Sequence, residues 1–424
     1  MIAGTDLRLG VQSTGGHPSY VAAHALAAVR LGFEPHIFSI ERKRAAPELS
    51  GLGVLHRVLT PVRPLRAHMA QSHSIFLARA ITEFLGGRQR RGAHSSGDAP
   101  AGVPLIHGFG AWSLAGVLSA RALGRRGVRA TAIASAYTTL QHESSGKLAG
   151  VRLHAGRAAL EYPLTHAWVR LVGARAETYA YRRARLVLVN YESVRRLVLD
   201  ACGPGLSIER IPYASALAFA PGEGDRPLPQ ELERLQPPRA PLIVSVSRHD
   251  PRKGIDVLLQ ALAGLARDGP PFRACLIGPG PLLAANRARA ARLGLDGRVA
   301  IVGRVEEVMP YLRRADVFVL PSLEEGSGSV SLLEALQAGV AVVASRLDGI
   351  PEDLSDGIDA RLVEPGDVGA LQAALAGLLG DASARAALGA RARNLYERRF
   401  SAESFTAALG KTYARLGAAP RAAP

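Results

Sequence analysis

Between Leu242 and Ala344 five short apolar runs recur, at Leu242–Val246, Arg273–Ile277, Val299–Val302, Val317–Leu320 and Ala341–Ala344. Segments of helical periodicity separate or follow them, near 254–266, 282–293, 307–314, 330–338 and 368–379. No other feature limits the fold more. Such runs are too short for buried helices, and their continuous apolar character means burial on both faces. Strands that alternate with helices form parallel sheets, because a parallel pair needs a long crossover. The expectation is an α/β, doubly wound domain. Its ligands bind beyond the carboxyl ends of the strands, so chemistry is sought in the residues just after each run.

The N-terminal half repeats this pattern less regularly. Leu7–Val11 reads as a strand, followed by Gly15-Gly16 and a helix with Val21, Ala25, Leu26 and Val29 on one face. Further strands are expected at Glu34–Ile40, Val54–Leu59, Val103–His107, Ala130–Ser135 and Leu186–Asn190. Residues 86–102 carry Gly, Ser, Pro and charge without periodicity and read as a mobile loop. A long Arg-rich helical region, 148–183, is interrupted by Pro163. The Pro-dense, charged stretch 220–241 is the best domain boundary. The expected division is therefore a first domain at 1–219, a linker at 220–241 and a second domain at 242–395. Residues 396–424 are expected to form a helix and tail that pack back on the first domain.

A chain of 424 residues suits two such domains better than one core. The two cysteines, Cys202 and Cys275, lack CxxC or Cys/His neighbours and read as buried free thiols, which points to a reducing compartment. No apolar run reaches the length of a membrane span, and the N-terminus lacks signal-peptide order, so a soluble cytoplasmic protein is expected. The net charge of +16 fits nucleic acid, an anionic membrane or a phosphorylated substrate. It is spread along the chain and is nearly all Arg, with Lys only at 43, 147, 253 and 411. No zinc-finger spacing or RNP-like aromatic motif supports a nucleic-acid partner. Arg152, Arg157, Arg170, Arg175, Arg182, Arg183 and Arg185 crowd the long helical region. Without a Trp/Phe/Leu face they read as a solvated basic surface, with at most weak peripheral contact at the inner membrane face.

Two stretches carry anion-binding chemistry. Pro321–Gly339 (PSLEEGSGSVSLLEALQAG) follows a strand and holds two acids, a Gly-Ser-Gly-Ser loop and a helix bearing Glu334. Glycines let the backbone approach an anion, and free N–H groups at a helix start favour negative charge, so a diphosphate fits. Glu325 and Glu334 can accept hydrogen bonds from sugar and ribose hydroxyls. Val244–Gly254 (VSVSRHDPRKG) places Arg248 and Lys253 at a strand's carboxyl end, which also suits a diphosphate. A third stretch, Gly278–Ala284, has only an imperfect dinucleotide fingerprint broken by two prolines.

In order, these elements resemble family-four retaining glycosyltransferases of the GT-B fold, the glycosyl transferases group 1. The matching motifs are Arg248 with Lys253-Gly254, Gly278–Gly280, Gly303–Val305, Ala315-Asp316, the Glu-Gly…Leu-Glu-Ala signature, Gly349–Glu352 and Glu364–Asp367. The resemblance covers about 240–375. In the first half only Gly15-Gly16 and the Ile106-His107 strand end match, weakly. It implies two Rossmann-like doubly wound domains facing each other across a cleft. It further implies hexosyl or other glycosyl transfer from a nucleoside-diphosphate sugar, UDP-sugar favoured and GDP-sugar as the other choice. The acceptor would be a sugar, a lipid-linked glycan or a small molecule. The rival reading is a nucleotide- or anion-binding regulatory module of the same fold without transfer.

By position, Arg248 and Lys253 would bind the donor diphosphate, Glu325 the transferred sugar and Glu334 the ribose. The backbone at Gly328, Ser329 and Val330 would hold phosphates, Arg304 and Val305 would lie near the base, and Gly278, Gly15 and Gly16 would complete the donor site. The spacing from Glu325 to Glu334 is one residue longer than the family's, which leaves Glu324 as the other choice for the first role. Lys253 and Glu334 are expected at exposed cleft positions. No Asp-x-Asp occurs, so no cofactor and no metal ligand set are expected, with Arg248, Lys253 and helix dipoles neutralising charge instead. His107, at a strand end, and His142 are candidate catalytic contacts as readily as structural histidines.

Overall fold

A computed structural model describes residues 1–5, 16–41, 48–59, 70–92, 103–149, 157–219, 229–326 and 328–418. Two compact units are present. Residues 1–148, 156–219 and 402–424 form one, and 149–155 and 220–401 the other.

The first unit is built on eight strands: β1 (Ile2–Thr5), β2 (His36–Glu41), β3 (Glu48–Ser50), β4 (Gly53–Leu59), β5 (Leu105–Phe109), β6 (Thr131–Ala136), β7 (Leu186–Val189) and β8 (Ile208–Arg210). Their order is β3-β4-β2-β1-β5-β6-β7-β8. The edge strand β3 is antiparallel to β4, while its neighbours pair in parallel. Strand order runs outward from β1 on one side and from β5 on the other, so the topological switch lies between them.

The second unit holds β9 (Leu242–Val246), β10 (Arg273–Ile277), β11 (Val299–Val302), β12 (Val317–Leu320), β13 (Ala341–Ser345) and β14 (Arg361–Val363), ordered β11-β10-β9-β12-β13-β14 and parallel throughout. Its switch point lies between β9 and β12, where Val317 pairs with Ile243 and Phe318 with Val244. Helix Ile255–Asp268 shows why the layers hold. Ile255, Leu258, Leu259, Leu262 and Leu265 recur at helical spacing and are buried against Phe272, Leu276 and Val319. Each such side chain contributes about 1.5–3 kcal/mol by leaving water.

Several expectations need correction. The strand expected at Leu7–Val11 lies outside the described residues, and the described strand at this end is Ile2–Thr5. The loop expected from 86 is helix as far as Gly92, within Ala70–Gly92, and 93–102 lie outside the described residues. Arg88 explains the extension. Its guanidinium donates to His36 Nε2 at 2.6 Å and lies 5.5 Å from the centre of the Phe84 ring, so the charged turn is held against β2.

The Arg-rich region is helix Arg157–Trp168, a π-turn Val169–Gly173 and helix Ala174–Arg183, with Pro163 inside the first. Of the expected linker, 220–228 lie outside the described residues. The remainder packs as part of the second unit: Leu232, Leu235 and Ala240 are buried, and Tyr311 Oη donates to Glu231 Oε2 at 3.1 Å.

Helices Ala382–Arg399 and Ala402–Arg415 end the described chain. Phe405, Leu409 and Tyr413 of the last helix share a buried cluster with Ala23, Ile133 and Leu188 of the first unit. Cys202 and Cys275 are free and buried. Among the described residues no helix is long and apolar enough to cross a membrane.

Candidate functional site

The loops after β9 and β12 flank the second unit's switch point, where an open parallel sheet leaves room for a ligand. Backbone geometry stitches them together. Gly254 has φ +59°, and a Cβ there would lie 1.9 Å from Pro321 O, so only glycine lets the loops approach. The amides of Leu323 and Glu324 both donate to Arg252 O, at 2.7 and 3.2 Å. Asp250 caps its own turn by accepting from Arg252 N at 3.1 Å.

Side chains follow the same stitching. Lys253 Nζ lies 2.7 Å from Glu325 Oε1, which also accepts from Ser322 Oγ at 2.5 Å. The Glu325 side chain is 3% exposed and that of Lys253 is 14%, so both sit in the wall and not at exposed positions. Glu324 faces Arg252 instead, at 3.8 Å. The Glu325 and Gly326 amides donate to Asp348 Oδ2 at 2.7 and 2.8 Å. Asp348 adopts φ +47°, a strained backbone for a non-glycine residue, to present that carboxylate. Arg248 differs from its neighbours: its side chain is 68% exposed, and its nearest acid is Asp250 at 3.9 Å.

Helix Val330–Ala338 begins at Ser329, whose side chain makes no cap bond. Ser329 Oγ instead pairs with Ser331 Oγ at 2.8 Å, and Ser331 Oγ donates to Val246 O at 2.7 Å. The helix start is thus tied to the end of β9. Glu334, one turn in, is 7% exposed and lies on the face that also carries Val330 and Ser331. Gly328 precedes this start.

Gly278, at the end of β10, has φ +143°, and a Cβ there would lie 2.0 Å from Ser247 O. Arg304, exposed, and Val305, partly buried, follow β11. His249 was missed in the sequence. It is fully buried beside this turn, takes a 2.9 Å hydrogen bond on Nδ1 from Asn286 Nδ2, and leaves Nε2 without a partner. Burial, then the Arg287 charge, lowers its pKa to about 4, so the ring is neutral with its proton on Nε2. Its place between Arg248 and Asp250 was the available signal.

The first unit treats its candidates differently. Gly15 lies outside the described residues, and Gly16 opens helix Gly16–Arg30. His107 is 1% exposed, with Nε2 at 2.7 Å from Ser135 Oγ and Nδ1 at 3.1 Å from Tyr413 Oη. Burial and then His24 push its pKa well down. Both ring nitrogens are engaged within the fold, on Ser135 and Tyr413. His142 is half-buried in the first turn of helix Leu140–Ala149. That helix start is held by buried Glu177, whose Oε2 accepts from Leu140 N at 3.0 Å. Asn190, at the carboxyl end of β7, is 4% exposed with neither amide atom bonded.

Among the described residues, no group of three or more His, Cys, Asp or Glu is placed to hold a metal ion.

Residues 240–381 match the family described as glycosyl transferases group 1. The second unit is a group 1 glycosyltransferase domain. Arg248, Lys253, Gly278, Arg304, Val305, Glu325, Gly328, Ser329, Val330 and Glu334 all fall within this domain. The chain is 34% identical over 204 residues to a GDP-mannose-dependent phosphatidylinositol monomannoside mannosyltransferase of Mycolicibacterium smegmatis, covering 46% of this chain and 53% of that protein. It is 33% identical over 170 residues to a lipopolysaccharide core biosynthesis glycosyltransferase of Rhizobium meliloti, covering 40% and 48%. The chain thus spans about half the length of the curated relatives it matches. Sucrose-phosphate synthase of Thermosynechococcus elongatus superposes with TM-score 0.70 at 20% identity, covering 98% of each chain. Anabaena HepE, solved with UDP and glucose, gives 0.67 at 15%, covering 97% and 99%. The fold that carries the group 1 domain is GT-B.

Proposed function

We propose that this chain transfers a hexose, with retention, from a nucleoside-diphosphate sugar to a hydroxyl of a lipid-linked glycan acceptor. The observation that carries the reading is the Lys253–Glu325 contact of 2.7 Å, set at the switch point beside exposed Arg248 and the side-chain-uncapped start of helix Val330–Ala338. A diphosphate placed there meets two cations and a helix dipole, which together stabilise the charge that develops on the leaving phosphate. Glu325, already aligned by Lys253 and Ser322, presents an acceptor to a sugar hydroxyl, and Glu334 does so for the ribose. His249 offers one further buried donor. The leaving phosphate takes the acceptor's proton, so the chain's part is positioning and charge stabilisation, without an obligatory metal.

GDP-mannose is the first donor to test, because the mycobacterial relatives are named for it. UDP-sugars form the comparison arm. The acceptors in the relatives' names, a phosphatidylinositol mannoside and a lipopolysaccharide core, favour a lipid-linked acceptor met at the cytoplasmic membrane face.

Purified protein is incubated with labelled GDP-mannose or UDP-sugars and membrane lipid extract. Label in the lipid phase with an α-linked product is the expected result. Tight binding of a nucleoside diphosphate with no transfer to any acceptor would favour a regulatory module instead.

A further inference from the structure

We propose that Asp348 is a positioning residue of the transfer site, which aims the Glu325 carboxylate at the donor sugar by holding the backbone that carries it; the inference rests on the sugar contact proposed above for Glu325. Asp348 follows β13, in a turn closed by Ile350 N donating to Leu347 O at 3.0 Å. With φ +47° it is the one non-glycine residue at positive φ among the described residues. Glycine fills such a place at no steric cost. The reason for an aspartate there lies in what its side chain does.

An aspartate in a turn usually bonds the backbone of that turn. Asp348 Oδ2 instead crosses to the loop after β12, where it accepts from Glu325 N at 2.7 Å and Gly326 N at 2.8 Å. The crossing is short because β12 and β13 are parallel neighbours, paired from Val317 with Ala341 to Leu320 with Ala344, so their loops leave the sheet side by side.

Two bonds to consecutive amides fix two peptide planes, and both planes meet at the Cα of Glu325. The direction of its Cα–Cβ bond is thereby set. The chain beyond offers no such hold, because Gly326 has φ +72° and the path to the helix start at Val330 runs through Gly328. Lys253 Nζ at 2.7 Å and Ser322 Oγ at 2.5 Å then fix the carboxylate itself. Glu325 is thus held from the loops after three neighbouring strands, β9, β12 and β13. Lys253 neutralises the carboxylate, and Asp348 decides where it stands. That placement matters for rate, since a shift of roughly 1 Å at a reacting contact costs on the order of 100-fold.

The test measures nucleoside diphosphate released by the full chain from GDP-mannose and from UDP-sugars, with membrane lipid extract as acceptor. Asp348→Gly keeps the turn's backbone conformation accessible and removes the carboxylate. It should lower kcat by roughly tenfold or more, while calorimetric affinity for GDP and UDP stays within about twofold, since neither carries the sugar. Asp348→Asn, whose amide oxygen can accept the same two bonds, should keep kcat within about threefold of wild type. A residue that only shaped its turn would give the opposite order, because glycine suits positive φ better than asparagine. Asp348→Gly with wild-type kcat, or Asp348→Asn as slow as Asp348→Gly, overturns the proposal. Hydrogen exchange on wild type gives a reading that no variant's folding can disturb. Slowed exchange of the Gly326 amide in the folded chain is expected, and exchange at the free-peptide rate overturns the proposal. Glu325→Ala separates this inference from the reading beneath it. Full activity in Glu325→Ala removes the sugar contact and the positioning role with it, as does a wild type that releases nothing from any donor. An inactive Glu325→Ala beside a fully active Asp348→Gly removes the positioning role alone.

Discussion

Lys253 Nζ and Glu325 Oε1 lie 2.7 Å apart, and the carboxylate has almost no solvent contact. The two residues come from loops after different strands, β9 and β12, so the pair closes the switch point. Removing one partner from such a pair strands a buried charge. Lys253→Ala should therefore destabilise the second unit by about 3 kcal/mol. Adding Glu325→Gln should restore most of that, since a neutral amide needs no cation, yet donor binding should stay lost in both. Urea unfolding and calorimetry with GDP or UDP check this. A double variant no more stable than the single would show that the pair is not what Lys253 stabilises.

The second unit was legible because its strands are short, apolar and set off by glycines that the geometry demands. β9 to β13 fall where the runs Leu242–Val246 to Ala341–Ala344 lie. β3, β8 and β14 escaped because three residues carry no period, and pairing partners decide them. Lys253 and Glu334 read as exposed cleft contacts, since a sequence cannot show that Lys253 folds onto Glu325 or that Glu334 is buried to 7% exposure. His107 read as a catalytic contact as readily as a structural histidine. Tyr413, which its Nδ1 meets, is distant in the chain and arrives on the last helix, a contact no local pattern announces.

Gly254 and Gly278 are each required by a close backbone approach. An added Cβ would lie 1.9 Å from Pro321 O or 2.0 Å from Ser247 O, and both residues have positive φ. Gly254→Ala should separate the β9 and β12 loops, destabilise by more than about 1 kcal/mol and weaken nucleoside diphosphate binding. Gly380→Ala, where nothing lies within 4 Å, is the control. Equal unfolding midpoints for all three proteins would remove the structural argument for the stitched loops.

Turnover should persist in excess EDTA. The donor diphosphate is expected to be neutralised by Arg248, Lys253 and the start of helix Val330–Ala338, and the sequence has no Asp-x-Asp. Arg248→Ala should lower activity by about tenfold or more with little change in stability, because its side chain is mostly exposed. Loss of all activity in EDTA, regained with magnesium or manganese, contradicts the reading.

Glu177 gives the fold a pH dependence of defined sign. Burial raises its pKa from 4.5 to about 7, against the lowering effect of its bonds to Leu140 and Tyr181. The folded chain therefore keeps this proton where the unfolded chain has lost it. Stability from this group is present below pH 4.5 and is lost as pH rises toward about 7, by roughly 3 kcal/mol. His24, lowered to about 4 by burial, acts in the opposite sense and costs stability as pH falls below 6.5. The difference between wild type and Glu177→Gln isolates the carboxyl. The variant should gain on wild type between pH 5 and pH 7 in urea unfolding (roughly the window between the two pKa values). A constant difference across that range contradicts the assignment.

The second unit, expressed as residues 229–401, should fold alone and bind a nucleoside diphosphate without transferring sugar. Six parallel strands give it a sheet of its own, and its core from Ile243 to Leu388 draws on no residue of the first unit. The start at 229 matters. Residues 230–240 contribute buried Leu232 and Leu235 and the Glu231 contact to Tyr311, so a segment beginning at 241 would expose the face of β11 they cover. The end at 401 matters as well, because Arg399 Nη2 binds Asp353 Oδ1 at 3.2 Å and Phe400 is buried, whereas Phe405 and Tyr413 belong to the other unit's core. Arg248, Lys253, Glu325 and Glu334 are all retained, so binding should approach that of the full chain. Acceptor groups near His142 and Asn190 are missing, so transfer should vanish. Calorimetry on 229–401, 241–401 and the full chain distinguishes the outcomes. If 229–401 folds cooperatively but binds neither GDP nor UDP while the full chain does, the donor contacts assigned to this unit are incomplete, and residues of the first unit must supply the rest.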